Sequence, residues 1–221
     1  MGTITAQSIV DRARHILQDT TSGGTRWLDD ELMKWLNDAQ REIVLLKPNA
    51  FSSVEDLSLA SGSKQTIAAE GLLLLSVVRN TGGRAVRRVD RNILDSENPD
   101  WHNVSADASV EHYVFDEDAP TIFWVYPPNS GAGEVEVIIS KSPTDVAVVG
   151  NAITLNDIYM NVILDYMLYR AYSKDTDYAG NTQRAGTHYA AFNNSLGVKL
   201  QGEQASSPNM NTRTGRAAGS S

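Results

Sequence analysis

The 221-residue chain contains no cysteine. That absence excludes a disulfide framework, a thiolate nucleophile and any zinc site built on sulfur, and it fits a reducing compartment. Long apolar runs are missing as well: Leu72 to Leu75, followed after Ser76 by Val77 and Val78, falls far short of the roughly 20 residues a membrane helix needs. The first residues lack the order of a basic region followed by an apolar one, so no export signal and no membrane partner are expected. Positive charge is in deficit, 19 Lys and Arg against 27 Asp and Glu, for a formal charge of -8. A protein that coats nucleic acid gains most of its affinity by neutralising phosphates, and this balance argues against that role. Histidine is sparse. His15, His102, His112 and His188 never stand at the i, i+4 spacing that presents two imidazoles to one metal, and no Glu completes a zinc-protease pattern. No metal and no cofactor are expected.

With 41% hydrophobic residues the chain can bury a core without help. The strongest β signal runs from Glu111 to Ser142. Read in steps of two, Tyr113 and Phe115 share a face, then Ile122, Trp124 and Tyr126, then Val135, Val137 and Ile139. Turns at Asp116–Pro120 and Pro127–Gly133 separate them, which predicts an antiparallel meander. Upstream, Val54, Leu57, Leu59, Ile67 and the run Leu72 to Val78 predict short strands, with Arg84 to Val89 after them and a short helix over Asp90 to Ser96.

Both flanks are helical in period. Thr5 to Gln18 predicts an amphipathic helix with Thr5 as N-cap, and Asp19 to Gly24 a flexible polar loop. The second helix takes Asp29 as N-cap, with a Leu28–Met33 staple and a stripe of Leu32, Trp35, Leu36, Ala39, Ile43 and Leu46 that Pro48 ends. Residues from Leu155 to Tyr172 carry apolar groups around most of the circumference, as expected of the central helix of a bundle. A last helix, about Thr182 to Leu196, is expected to close at Gly197. The expected fold is α+β. Residues 1–50 and 150–200 form one helical bundle from both chain ends, 51–149 an inserted antiparallel β domain, and 201–221 a disordered, flexible C-terminal arm.

Each candidate for chemistry has a plainer reading. His102 follows Trp101 near Asp100 and Asp107, where a carboxylate can orient an imidazole for base catalysis, yet no Ser sits in a G-x-S-x-G elbow. Gly131-Ala132-Gly133 precedes a strand, not a helix, and reads as a hairpin turn rather than a dinucleotide loop. Asp175 to Gly180 imitates a calcium loop but has Ala179 where an oxygen ligand is required and Gly186 where the bidentate Glu belongs. Arg79, Arg84, Arg87, Arg88 and Arg91 form a basic cluster that either docks an acidic neighbour, binds phosphate or is a solvated strand face. The acidic tip Asp116, Glu117 and Asp118 either binds a cation, contacts a neighbouring subunit or partner protein, or is a solvated turn. Arg213 and Arg216, with no acid beyond Glu203, make the C-terminal arm basic, either to reach into a partner or as a frayed end.

Several stretches taken in order resemble the head-to-tail adaptor, or connector, proteins of tailed bacteriophages. They are Trp27 to Leu32 leading to Trp35 to Glu42, Val89 to Arg91 with Asn98 to His102, Tyr126-Pro127-Pro128, and Ile158 to Tyr172. The resemblance implies a structural virion protein and not an enzyme. Its members form a ring, commonly of twelve copies, that joins the portal to the tail nozzle or tail fibres in the virion neck, after assembly in the host cytoplasm. Double-stranded DNA passes through the ring without sequence-specific binding, and acidic walls suit that passage. The helical bundle and C-terminal arm of such adaptors meet the portal. Two other readings stand beside it: a tail-associated ligand- or glycan-binding β module on a helical stalk, and an enzyme whose residues assemble only in the fold.

Overall fold

The computed structural model describes residues 2–175 and 179–206, which form five α-helices and two sheets. In chain order the elements are α1 (Ala6–Leu17), α2 (Asp29–Leu46), β1 (Ser52–Ser58), β2 (Gly62–Thr66), β3 (Gly71–Asn80), β4 (Arg87–Arg88), α3 (Arg91–Glu97), β5 (His112–Phe115), β6 (Ile122–Asn129), β7 (Glu134–Lys141), α4 (Met160–Lys174) and α5 (Ala179–Ser206). Two compact units share the chain: Val44–Pro143, and the residues on either side of it.

In the first of these, the strands do not form a meander. β5 and β6 pair as an antiparallel hairpin, with His112 opposite Tyr126, but β7 leaves for the other sheet and lies between β1 and β3. The reason lies in the alternation. Phe123 and Val125 on β6, and Val135, Val137 and Ile139 on β7, are two apolar faces that cover one another on opposite sheets. The resulting orders are β1-β7-β3 and β2-β6-β5-β4, and one core of Leu74, Val77, Tyr113 and these residues lies between them. β4 pairs parallel to β5, so the β region is not wholly antiparallel.

The turn predicted at Pro127 starts later. β6 runs through both prolines to Asn129, because its ladder with β2 jumps from Lys64 opposite Trp124 to Gly62 opposite Asn129 and asks no N–H of either proline. Asn129 then closes the turn with its buried amide, donating to Asp107 O and Ala108 O at 3.1 Å and accepting from Gly131 N at 2.8 Å and Gly133 N at 3.2 Å. Gly133 is required there: a Cβ would lie 2.1 Å from Ala108 O. On β6, Trp124 and Tyr126 face away from the main core. They pack with Val114 under Leu94 of α3 and Trp101, whose indole donates to Asp95 Oδ1 at 2.8 Å.

The other unit is helical. Thr5 caps α1 by accepting from Ser8 N, as predicted, and Ile9, Ala13 and Leu17 are buried. Asp29 is the first residue of α2 and not its cap; Leu28, half exposed, precedes it and its carbonyl accepts from Leu32 N, so Leu28 takes the cap position. The Asp29 carboxylate is bound instead by Arg14 of α1. Leu32, Leu36, Ala39 and Ile43 are fully buried, while Leu46 at the helix end is exposed.

The loop between α1 and α2 is ordered by Asp19. Its buried carboxylate accepts from Thr25 N, Arg26 N and Trp27 N at 3.0–3.1 Å and from the Thr25 hydroxyl at 2.9 Å. Arg14, buried beside it, donates to Asp19 O at 3.2 Å. The two chain ends are tied together by hydrogen bonds. Asp157 accepts from Thr3 N, Thr3 Oγ1 and Ile4 N at 2.7, 2.6 and 2.9 Å, and Gln40 of α2, 1% exposed, accepts from Thr154 N at 2.8 Å and Leu155 N at 3.1 Å.

α4 packs on α1 and, along an aromatic seam, on α5: Tyr166 meets Phe192 at 5.3 Å between ring centroids, Tyr169 meets Tyr189 at 4.8 Å, and Tyr172 stacks on His188 at 5.7 Å. Three-residue steps on α4 meet one face of α5. α5 does not close at Gly197. It continues to Ser206, so the expected arm is helical over residues 201–206, and 207–221 lie outside the described residues.

Candidate functional site

β4 carries the centre of the predicted basic cluster, and its neighbours sort the arginines into bound and free. Arg79 of β3 pairs with Glu136 at 2.9 Å, Arg84 with Glu111 at 2.8 Å and Arg91 with Asp95 at 3.3 Å. The Glu136 carboxylate raises the Arg79 pKa further and holds that charge in place. Arg87 and Arg88 are exposed, and among the described residues neither guanidinium meets a carboxylate. Arg88 instead lies over the Phe115 ring, 5.9 Å from its centroid.

Two concavities meet at Arg88. One of about 600 Å³ is bounded by Arg88 and Arg91 on one side and by Asp116, Glu117 and Asp118 on the other. The second, about 370 Å³, has an apolar floor of Leu73, Leu74, Leu75, Tyr113 and Phe115, with Arg88 and Glu117 at its rim. Of the five clustered arginines, Arg88 and Arg91 line a concavity with the acidic tip, and Arg79, Arg84 and Arg87 do not. The Asp116 carboxylate accepts from Asp118 N at 3.1 Å, as in an Asx turn. Arg213 and Arg216 lie outside the described residues.

Sequence reasoning missed the leucine floor. The run Leu72 to Val78 predicts a strand without saying which leucines are covered; Leu72 is 48% exposed and Leu73 and Leu75 are half-buried, because β3 lies at the edge of its sheet and carries register shifts against β7. The signal was the run itself on a strand with one neighbour.

The histidines are dispersed. His15 Nδ1 lies 2.7 Å from Asp11 O, His188 Nδ1 3.0 Å from Asp165 Oδ1, and His112 stacks on Tyr126 at 6.2 Å. His102 stacks on Trp101 at 3.6 Å, with Nδ1 2.8 Å from the Ser63 hydroxyl. That contact joins a side chain to β2; neither Asp100 nor Asp107 bonds His102. Among the described residues no three His, Asp or Glu are placed to hold one metal ion. In the calcium-like stretch, the Asp175 carboxylate is taken by Arg26 and by Asn181 at 2.9 Å, and 176–178 lie outside the described residues. No helix among the described residues is long and apolar enough to cross a membrane.

Gathered here are two guanidinium groups that meet no carboxylate among the described residues, an acidic tip and an apolar hollow at a sheet edge. A family model described as SU10 adaptor protein matches residues 4–215 of the chain. No curated protein matches it.

Proposed function

The chain belongs to the SU10 adaptor family, a structural family of phage adaptors, and from that premise we propose that it is the head-to-tail adaptor of a tailed bacteriophage. In this reading, twelve copies form a ring in the virion neck. The ring joins the portal protein above to a tail nozzle or tail fibre protein below, and its channel conducts double-stranded DNA. The observation that carries the reading is the extent of the family match, which spans both the helical and the β unit.

Three properties support it. The formal charge of -8 lets DNA pass an acidic wall without adsorbing. The groove at Arg88 and the tip Asp116–Asp118 offer contact chemistry to a neighbouring subunit or tail protein. The segment after Ser206 is basic, with Arg213 and Arg216, a charge suited to an arm that engages the portal.

The test is mixing with the cognate portal, full length against a chain ending at Ser206, where α5 ends. Attachment is read by co-sedimentation and negative-stain imaging, and folding by circular dichroism. The expected result is weaker attachment of the shortened chain with an unchanged melting curve; equal attachment removes the arm from the mechanism, and no ring on the portal with either chain overturns the adaptor reading.

A further inference from the structure

A ring of identical subunits needs a head-to-tail contact, one surface meeting a different surface of the next copy. The hollow at Arg88 specifies one half of such a contact. It has an apolar floor, the Arg88 guanidinium and the Glu117 carboxylate at its rim, a second unpaired guanidinium on the same two-residue strand, and a backbone edge. Arg87 N and Val89 N both donate towards β5, at 3.1 and 3.0 Å to Glu111 O and Tyr113 O, so the Arg88 N–H between them points away from the sheet. Its complement is an extended strand that carries a large aliphatic side chain and a carboxylate on one face.

We propose that this complement is β1 of a neighbouring copy, with Val54 entering the hollow and Asp56 meeting the Arg87–Arg88 pair. The proposal rests on the ring reading above and supplies its subunit contact.

The strand order selects β1. β1, β2, β3 and β4 are the edge strands of the two sheets. β3 and β4 already form the hollow, and β2, Gly-Ser-Lys-Gln-Thr, has neither a carboxylate nor a large apolar residue. β1 has both: Val54 is 62% exposed, Asp56 is exposed, and the alternation of the strand puts them on one face, two residues and about 6.7 Å apart. Asp56 keeps only a long bond, 3.4 Å, from the Thr81 hydroxyl, and Arg79 nearby is held by Glu136. Glu55, on the other face of β1, is bound by Lys141.

Geometry makes the contact intermolecular. In the three-stranded sheet β7 separates β1 from β3, and in the other sheet β4 and β2 are the two ends, so β1 lies across the sandwich from its own molecule's hollow. Edge against opposite edge is heterologous, and repeating it generates a ring or a filament. Strand addition at a sheet edge supplies main-chain hydrogen bonds, and the side-chain pockets supply register.

Because the chain has no cysteine, introduced thiols report on this contact alone. Full-length Val54→Cys and Leu73→Cys chains, mixed and oxidised on cognate portal rings, are expected to give a covalent dimer that neither gives alone. The variant carrying both should give a ladder of oligomers. Arg88→Glu should lower the cross-link yield about tenfold or more, in line with an arginine at the centre of a contact. Asp56→Arg should restore it when combined with Arg88→Glu. Circular dichroism melts on each variant show that loss of yield is not loss of fold. If rings are visible on the portal but no cross-link forms and Arg88→Glu leaves them intact, the β1 contact is wrong while the ring reading stands. Absence of rings overturns both.

Discussion

Buried polar side chains do much of the structural work at the scale of the residue, and they act by replacing backbone partners that loops lack. Asn37 donates to Val146 O at 3.2 Å and accepts from Val146 N at 2.9 Å; Asn80 does the same for Val110 at 2.8 and 2.9 Å. Asp19 does it with a charge. The backbone N–H of Trp27, with those of Thr25 and Arg26 and the Thr25 hydroxyl, outweighs desolvation and holds this carboxyl well below the usual range. Gly24 completes the cage, with φ of 75° and a position where a Cβ would lie 2.3 Å from an Arg14 guanidinium nitrogen. A depressed carboxyl contributes stability that is fully present above its unfolded pKa, about 3.9, and is lost as pH falls towards the folded value. Asp19→Asn should therefore melt below the parent chain at pH 7, and the gap should begin to shrink once the pH drops below about 4. Thermal melts of both chains from neutral to acid pH check this; a gap constant over that range would mean that the charge of Asp19 contributes nothing.

Elements show where pattern suffices and where it fails. Gly186 and Gly197 stand inside α5, solvent-exposed and with open space where a Cβ would go. Each costs the helix about 0.5–1 kcal/mol relative to Ala, so Gly186→Ala and Gly197→Ala should raise the urea midpoint of the helical unit's transition with no change in its slope. Gly197→Ala also separates two structures of this segment, since a terminating left-handed glycine would make Ala destabilising. The helices α1 and α2 were legible because one apolar stripe at helical period admits one solution, and α4 because apolar groups cover most of its circumference. The partition of strands was not. β6 is apolar on both faces, Phe123 and Val125 inward and Trp124 and Tyr126 outward, so alternation alone does not tell core from cover. The departure of β7 is a matter of which faces meet, a long-range fact with no local signal. At the candidate site the basic cluster was legible as composition. Which arginines stay free was not, because Arg79 and Arg84 find Glu136 and Glu111 far along the chain.

At the scale of the molecule, each unit carries its own buried set: Ile9, Leu36, Ile43, Ile163 and Phe192 in one, Phe123, Val125, Val135 and Trp101 in the other. Units with separate cores lose their structure in separate steps unless the energy between them is large, and unfolding then departs from two-state behaviour. The expected observation is a calorimetric enthalpy larger than the van't Hoff enthalpy, with two transitions that respond to different substitutions. Gln40→Ala leaves Thr154 N and Leu155 N without their acceptor, a loss of about 1–3 kcal/mol for buried groups, and should lower only the helical transition. Trp101→Ala empties a site 1% exposed beneath α3 and β6; large aromatic truncations cost about 3–5 kcal/mol, and this one should lower only the β transition. A single transition that both substitutions shift together would show that the units fold as one.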